Sequence, residues 1–83
     1  MNHPVIWETE ATDAATRFIK DDPDGLRQVY ASVDLLAVDP RPAGSVALGT
    51  SDLRRIHIGR YRVIYAISES EITIVVIHLG RVG

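Results

Sequence analysis

The chain has no cysteine among its 83 residues. That excludes a disulfide framework and any thiolate metal site. It also lacks a long apolar run. The longest strongly apolar stretch, ITIVVIHL, falls far short of the roughly 20 residues a membrane helix needs. The opening residues, MNHPVIWETEA, lack a basic segment followed by an apolar one, so no secretory leader is expected. Carboxylates do not cluster with metal-ligand spacing, and neither a metal nor another cofactor is expected. These absences point to a cytoplasmic protein with no membrane partner. The length suits one domain, residues 1–83, built on one core.

What is present is unevenly spread. Residues 1–40 carry three cations against eight carboxylates, a charge of −5. Residues 41–83 carry six arginines against three carboxylates, a charge of +3. The formal net charge is −2. A basic second half on an acidic chain suggests a surface aimed at phosphates or carboxylates. The positive charge is densest in RRIHIGRYRVIY, residues 54–65.

The periodicity of the apolar residues changes along the chain. HPVIWE (3–8) reads as a strand. Thr9 offers a helix N-cap, and Ala11, Ala14, Ala15, Phe18 and Ile19 then form an apolar stripe at helical spacing. Asp22 followed by Pro23 is a cap and first-turn pair for a second helix. Leu26, Val29, Tyr30, Val33, Leu36 and Ala37 carry that helix towards Asp39, where Pro40 ends it. DPRPAGSVALGTSD reads as a loop with a short extended piece at 46–48. Beyond it the pattern alternates: LRRIHI, YRVIYAI and EITIVVIHL are three strands. The expected fold class is α+β. A strand and a helical hairpin precede a three-stranded antiparallel meander, and the helices pack on one face of a four-stranded sheet. Phe18, Leu26, Val29, Val33, Ile56, Val63 and Tyr65 are the expected core.

Gly59-Arg60 suits a two-residue hairpin turn. That register sets Ile58 opposite Tyr61, His57 opposite Arg62, Ile56 opposite Val63 and Arg55 opposite Ile64. Side chains alternate between faces. Ile56, Ile58, Tyr61, Val63 and Tyr65 therefore share the core face, and Arg55, His57 and Arg62 share the other. A three-residue connection at 69–71 places His78 beside Arg62, whereas a two-residue one places it beside Tyr61. In both cases Arg81 falls near the same edge. The candidate cluster is Arg55, His57, Arg62, His78 and Arg81. Such a set suits RNA cleavage through the ribose 2′-hydroxyl. Arginine's planar fork holds the charge that builds on phosphorus. Histidine can take or give a proton near neutrality. No metal is required.

The sequence resembles the RelE/ParE superfamily of bacterial toxin–antitoxin toxins. The most specific match is GRYRVIY, Gly59 to Tyr65. LRRIHI before it, DPRP followed by Leu48, the helical hairpin and IVVIHLG near the end match in order, over nearly the whole chain. The resemblance implies a toxin of a type II toxin–antitoxin system, neutralised by a cognate antitoxin in a hetero-oligomer. RelE-like members bind the ribosome and cut mRNA; ParE-like members share the fold and inhibit DNA gyrase. In RelE-like enzymes the arginine at the position of Arg62 contacts the scissile phosphate. Basic residues matching Arg55 and His57 also serve, and Arg81 is the candidate for the cation after the final glycine. The expected activity is that of a metal-independent, ribosome-dependent mRNA endonuclease. The sequence pI of 5.8 and the lack of a tyrosine after the last strand keep two alternatives open, a gyrase inhibitor and a degenerate, non-enzymatic toxin.

Overall fold

The computed structural model describes residues 4–70 and 73–82. Strand β1 (Val5–Trp7) is followed by helices α1 (Thr9–Asp21) and α2 (Pro23–Leu35). Strands β2 (Val46–Leu48), β3 (Thr50–Ile58), β4 (Tyr61–Ser68) and β5 (Thr73–Arg81) complete the chain. They form one sheet in the order β1-β5-β4-β3-β2. The β1–β5 pairing is parallel, and β5–β4, β4–β3 and β3–β2 are antiparallel. The sheet therefore has five strands, one more than expected. The extra strand is the 46–48 piece. It pairs Val46 with Arg55 and Ala47 with Arg54 before a register shift and Gly49, whose φ is +88°. Glycine enters that left-handed conformation without a Cβ penalty. His3 and the 71–72 start of the expected last strand lie outside the described residues.

Asp22 joins the two helices. Its N–H closes α1 on the Phe18 carbonyl at 2.7 Å, and its side chain accepts from the Gly25 N–H at 3.1 Å. Pro23 occupies the first turn of α2, where its missing donor costs nothing. At the start of α1 the N-cap is Glu8 rather than Thr9, and no side chain caps the helix there. Helix α2 stops at Leu35, short of Asp39. Turns then carry the chain on, with Leu36 still buried and the Asp39 N–H bonded to the Leu35 carbonyl.

Both helices lie on the same face of the sheet. Ala11, Ala14 and Ala15 of α1 and Leu26, Val29 and Val33 of α2 pack against Ile56, Tyr61, Val63, Tyr65, Ile74 and Val76. Small residues on α1 let the helix approach the strands closely. Phe18 and Trp7 are partly buried beside this core. Ile19 and Tyr30, placed on the apolar stripes by their spacing, lie at the stripe edges and are 40% and 38% exposed. Two buried hydroxyls satisfy polar groups: Tyr61 donates to Asp22 at 2.9 Å, and Tyr65 donates to the Pro40 carbonyl at 2.6 Å. Among the described residues no helix is long and apolar enough to cross a membrane.

Candidate functional site on the helix-free sheet face

The hairpin register around Gly59-Arg60 is the one the alternation requires. Ile58 pairs with Tyr61, His57 with Arg62, Ile56 with Val63 and Arg55 with Ile64. Gly59 has φ +59°, which favours glycine at the turn. Ile56, Tyr61, Val63 and Tyr65 go into the core. Arg55, His57 and Arg62 are left on the face without helices.

The register of β5 matches neither connection expected for the second hairpin. Ser68 pairs with Thr73, and a β-bulge opposite Ile64 and Tyr65 shifts the pairing again. Beyond the bulge, His78 pairs with Ile64, Gly80 with Arg62 and Arg81 with Tyr61. His78 thus stays on the helix-free face but sits diagonally from Arg62 rather than beside it. Diagonal cross-strand neighbours lie about 7–8 Å apart, within reach of long side chains. Arg62 is therefore the centre of this group of side chains, close to the Gly59-Arg60 turn. It has His57 directly across on β3, Gly80 directly across on β5, and Arg55 and His78 on the diagonals.

Arg81 is separated from this group. It lies opposite Tyr61, a core-face residue, and turns to the helices. Its guanidinium bonds Asp21 at 2.7 Å and sits 4.6 Å from the centre of the Phe18 ring. The hydrogen bond it donates to Asp21, then its interaction with the Tyr61 oxygen, raises its pKa further. The one-residue shift at the bulge is the physical reason: it exchanges the face on which the last residues of β5 project.

The arginines divide by what they touch. Arg27 pairs with Asp24, Arg41 with Asp52 and Glu69, Arg60 with Asp22 and Arg81 with Asp21. Arg54 donates to the Ser45 hydroxyl and the Ser51 carbonyl. Arg17, exposed on α1, and Arg55 and Arg62 on the helix-free face pair with no carboxylate among the described residues. The Nε of Arg55 is also buried without a hydrogen-bond partner among the described residues. A desolvated donor left unsatisfied costs free energy. Two unpaired guanidiniums on neighbouring strands repel each other and together attract an anion.

The same face also carries apolar side chains. Ile6 and Val46 are 54% and 49% exposed, and Leu53, Ile64, Ala66 and Val75 are half-buried between them. Near the edge of β3 a groove of about 390 Å³ lies against the end of α2, with Leu35, Leu36, Ile56, His57 and Ile58 in its lining. Two residues near Arg62 escaped sequence reading. Glu10 Oε1 lies 3.3 Å from His78 Nδ1 across 68 positions of chain, and no local pattern signals so distant a contact. Gly80 reads as a strand-end glycine, and its position opposite Arg62 depends on the bulge. Among the described residues no three histidine or carboxylate side chains gather to hold a metal ion.

A family model described as the ParE toxin of the type II toxin–antitoxin system matches residues 5–82. The chain belongs to this toxin family. Solved toxins of the RelE/ParE superfamily share its fold. The RelE–RelB complex of the archaeon Pyrococcus horikoshii contains a chain 26% identical to this toxin, with a TM-score of 0.80 over 98% of this chain and 96% of that one. The isolated RelE toxin of E. coli is 16% identical, with a TM-score of 0.84 over 98% of this chain and 85% of that one. In the toxin–antitoxin complex RelBE2 of Mycobacterium tuberculosis the matching chain is 19% identical, with a TM-score of 0.82 over 99% and 93%. No curated protein matches the toxin's sequence.

Proposed function

We propose that this toxin is a ribosome-dependent mRNA endonuclease held in check by a cognate antitoxin. The supporting observation is Arg62, an exposed arginine with no ionic partner among the described residues, flanked by Arg55, His57 and His78. Arg62 holds the scissile phosphate through paired N–H donors, and Arg55 adds charge beside it. A histidine takes the 2′-hydroxyl proton. The 2′ oxygen–phosphorus bond then forms as the phosphorus–5′ oxygen bond breaks. The departing oxygen takes its proton from the protonated histidine or from solvent, leaving a cyclic phosphate and a 5′-hydroxyl. The antitoxin covers this same face, burying Ile6 and Val46 and setting carboxylates against Arg55 and Arg62.

Cleavage of mRNA on programmed ribosomes is the decisive assay. Arg62→Ala should lose about 10²- to 10³-fold in rate, the loss of one donor aimed at transition-state charge. Full cleavage by Arg62→Ala removes the proposed role. Inhibition of DNA gyrase is the second reading, favoured by the match of the ParE family model itself. Under it the unmutated chain leaves mRNA intact and blocks gyrase supercoiling.

A further inference from the structure

His57 and His78 both flank Arg62, yet only one is equipped as a base. His57 has no carboxylate partner among the described residues and faces the groove beside Leu35. His78 has Glu10 Oε1 3.3 Å from its Nδ1. A carboxylate at Nδ1 accepts the Nδ1–H of the neutral ring, which leaves Nε2 as the unprotonated nitrogen. That nitrogen lies over Gly80: a Cβ at residue 80 would stand 3.0 Å from His78 Nε2. Gly80 is in turn the direct partner of Arg62 in the sheet. The free nitrogen therefore rests in the gap that glycine leaves beside Arg62.

We propose that Glu10 is a positioning residue which sets the tautomer and orientation of His78, that Gly80 supplies the space its ring occupies, and that His78 rather than His57 takes the 2′-hydroxyl proton. The assignment rests on the ribonuclease reading. Nε2 gains the proton as the 2′ oxygen bonds to phosphorus, and the ring returns it to the leaving 5′ oxygen or to solvent. Helix α1 thereby joins the site through its first turn, from the opposite end of the sequence to β5.

The ring ¹⁵N shifts of His78 in the full chain, read alongside ribosome-programmed mRNA cleavage, test this. The unmutated protein should show the neutral ring protonated on Nδ1. Glu10→Ala should move that proton towards Nε2 and slow cleavage about tenfold, by analogy with the low end for groups that orient metal-bound histidines. Glu10→Gln, whose amide oxygen still accepts, should keep most of the tautomer. Gly80→Ala should displace the ring and slow cleavage, with Glu10 unchanged. A wild-type ring protonated on Nε2, or a tautomer indifferent to Glu10→Ala, overturns the assignment. Slower cleavage in His57→Ala with none in His78→Ala overturns it as well. An Nδ1-protonated ring in a chain that never cuts mRNA overturns the catalytic role and the ribonuclease reading together, while the Glu10–His78 contact stands.

Discussion

Asp22 shows how much one side chain does in a chain this small. It closes α1, caps α2 and accepts from Tyr61. The Tyr61 hydroxyl, then the Gly25 N–H, hold its carboxyl below the ordinary value of 3.8; the charges of Arg60 and Arg81 act in the same direction, against partial desolvation. Because the folded state lowers this pKa, the associated stability is present above about 3.8 and is lost as pH falls through the lower folded value. Thermal melting followed from neutral to strongly acid pH should show it. Wild type should exceed Asp22→Asn at neutral pH, and the gap should close in acid. A gap that stays constant into strong acid contradicts the linkage. The arginines differ by the same kind of detail. Arg81 and Arg62 are both basic residues at the edge of the hairpin, yet Arg81 is used up on Asp21 and Phe18.

Among the elements, α2 has the most tightly specified start. Gly25 looks like a poor choice in a first turn, where alanine would add about 1 kcal/mol of helix propensity. A Cβ there would collide with the Asp22 carboxylate and stand 2.9 Å from the Tyr61 ring. Gly25→Ala should therefore destabilise the protein, by about 1–3 kcal/mol, as overpacking does. Chemical denaturation measures this, and an unchanged or raised midpoint would show that the neighbours yield freely. The β3–β4 hairpin was legible because glycine at the turn and strict alternation fix its register together. The β4–β5 hairpin was not. Its register shifts at a bulge in β5, and β5 pairs on its other side with the parallel β1; neither feature is signalled by the local pattern.

Over the whole molecule, the charge asymmetry of the sequence becomes an asymmetry of surfaces. Much of the excess acid of the first half sits on the helices, while Arg55 and Arg62 project from the opposite side of the sheet. An acidic antitoxin segment over that side should bind with a salt-dependent component. The Arg55→Ala, Arg62→Ala double variant should bind its cognate antitoxin more weakly and with a flatter dependence on ionic strength. Titration calorimetry at two salt concentrations reads both effects. Unchanged affinity and salt dependence would move the contact surface elsewhere, with the groove beside α2 the next surface to test.

The α+β plan, the helical hairpin, the first β-hairpin and the arginine-bearing face are all legible in the sequence, because each follows from a local period or a turn residue. The sequence left the fifth strand as only a short extended piece in a loop. Which cations remain unpaired on the helix-free face, and which histidine meets a carboxylate, emerges only in the folded chain. Those outcomes depend on a one-residue bulge and on a contact between α1 and β5. Pairing across so many positions is fixed by packing, which no stretch of neighbouring residues encodes.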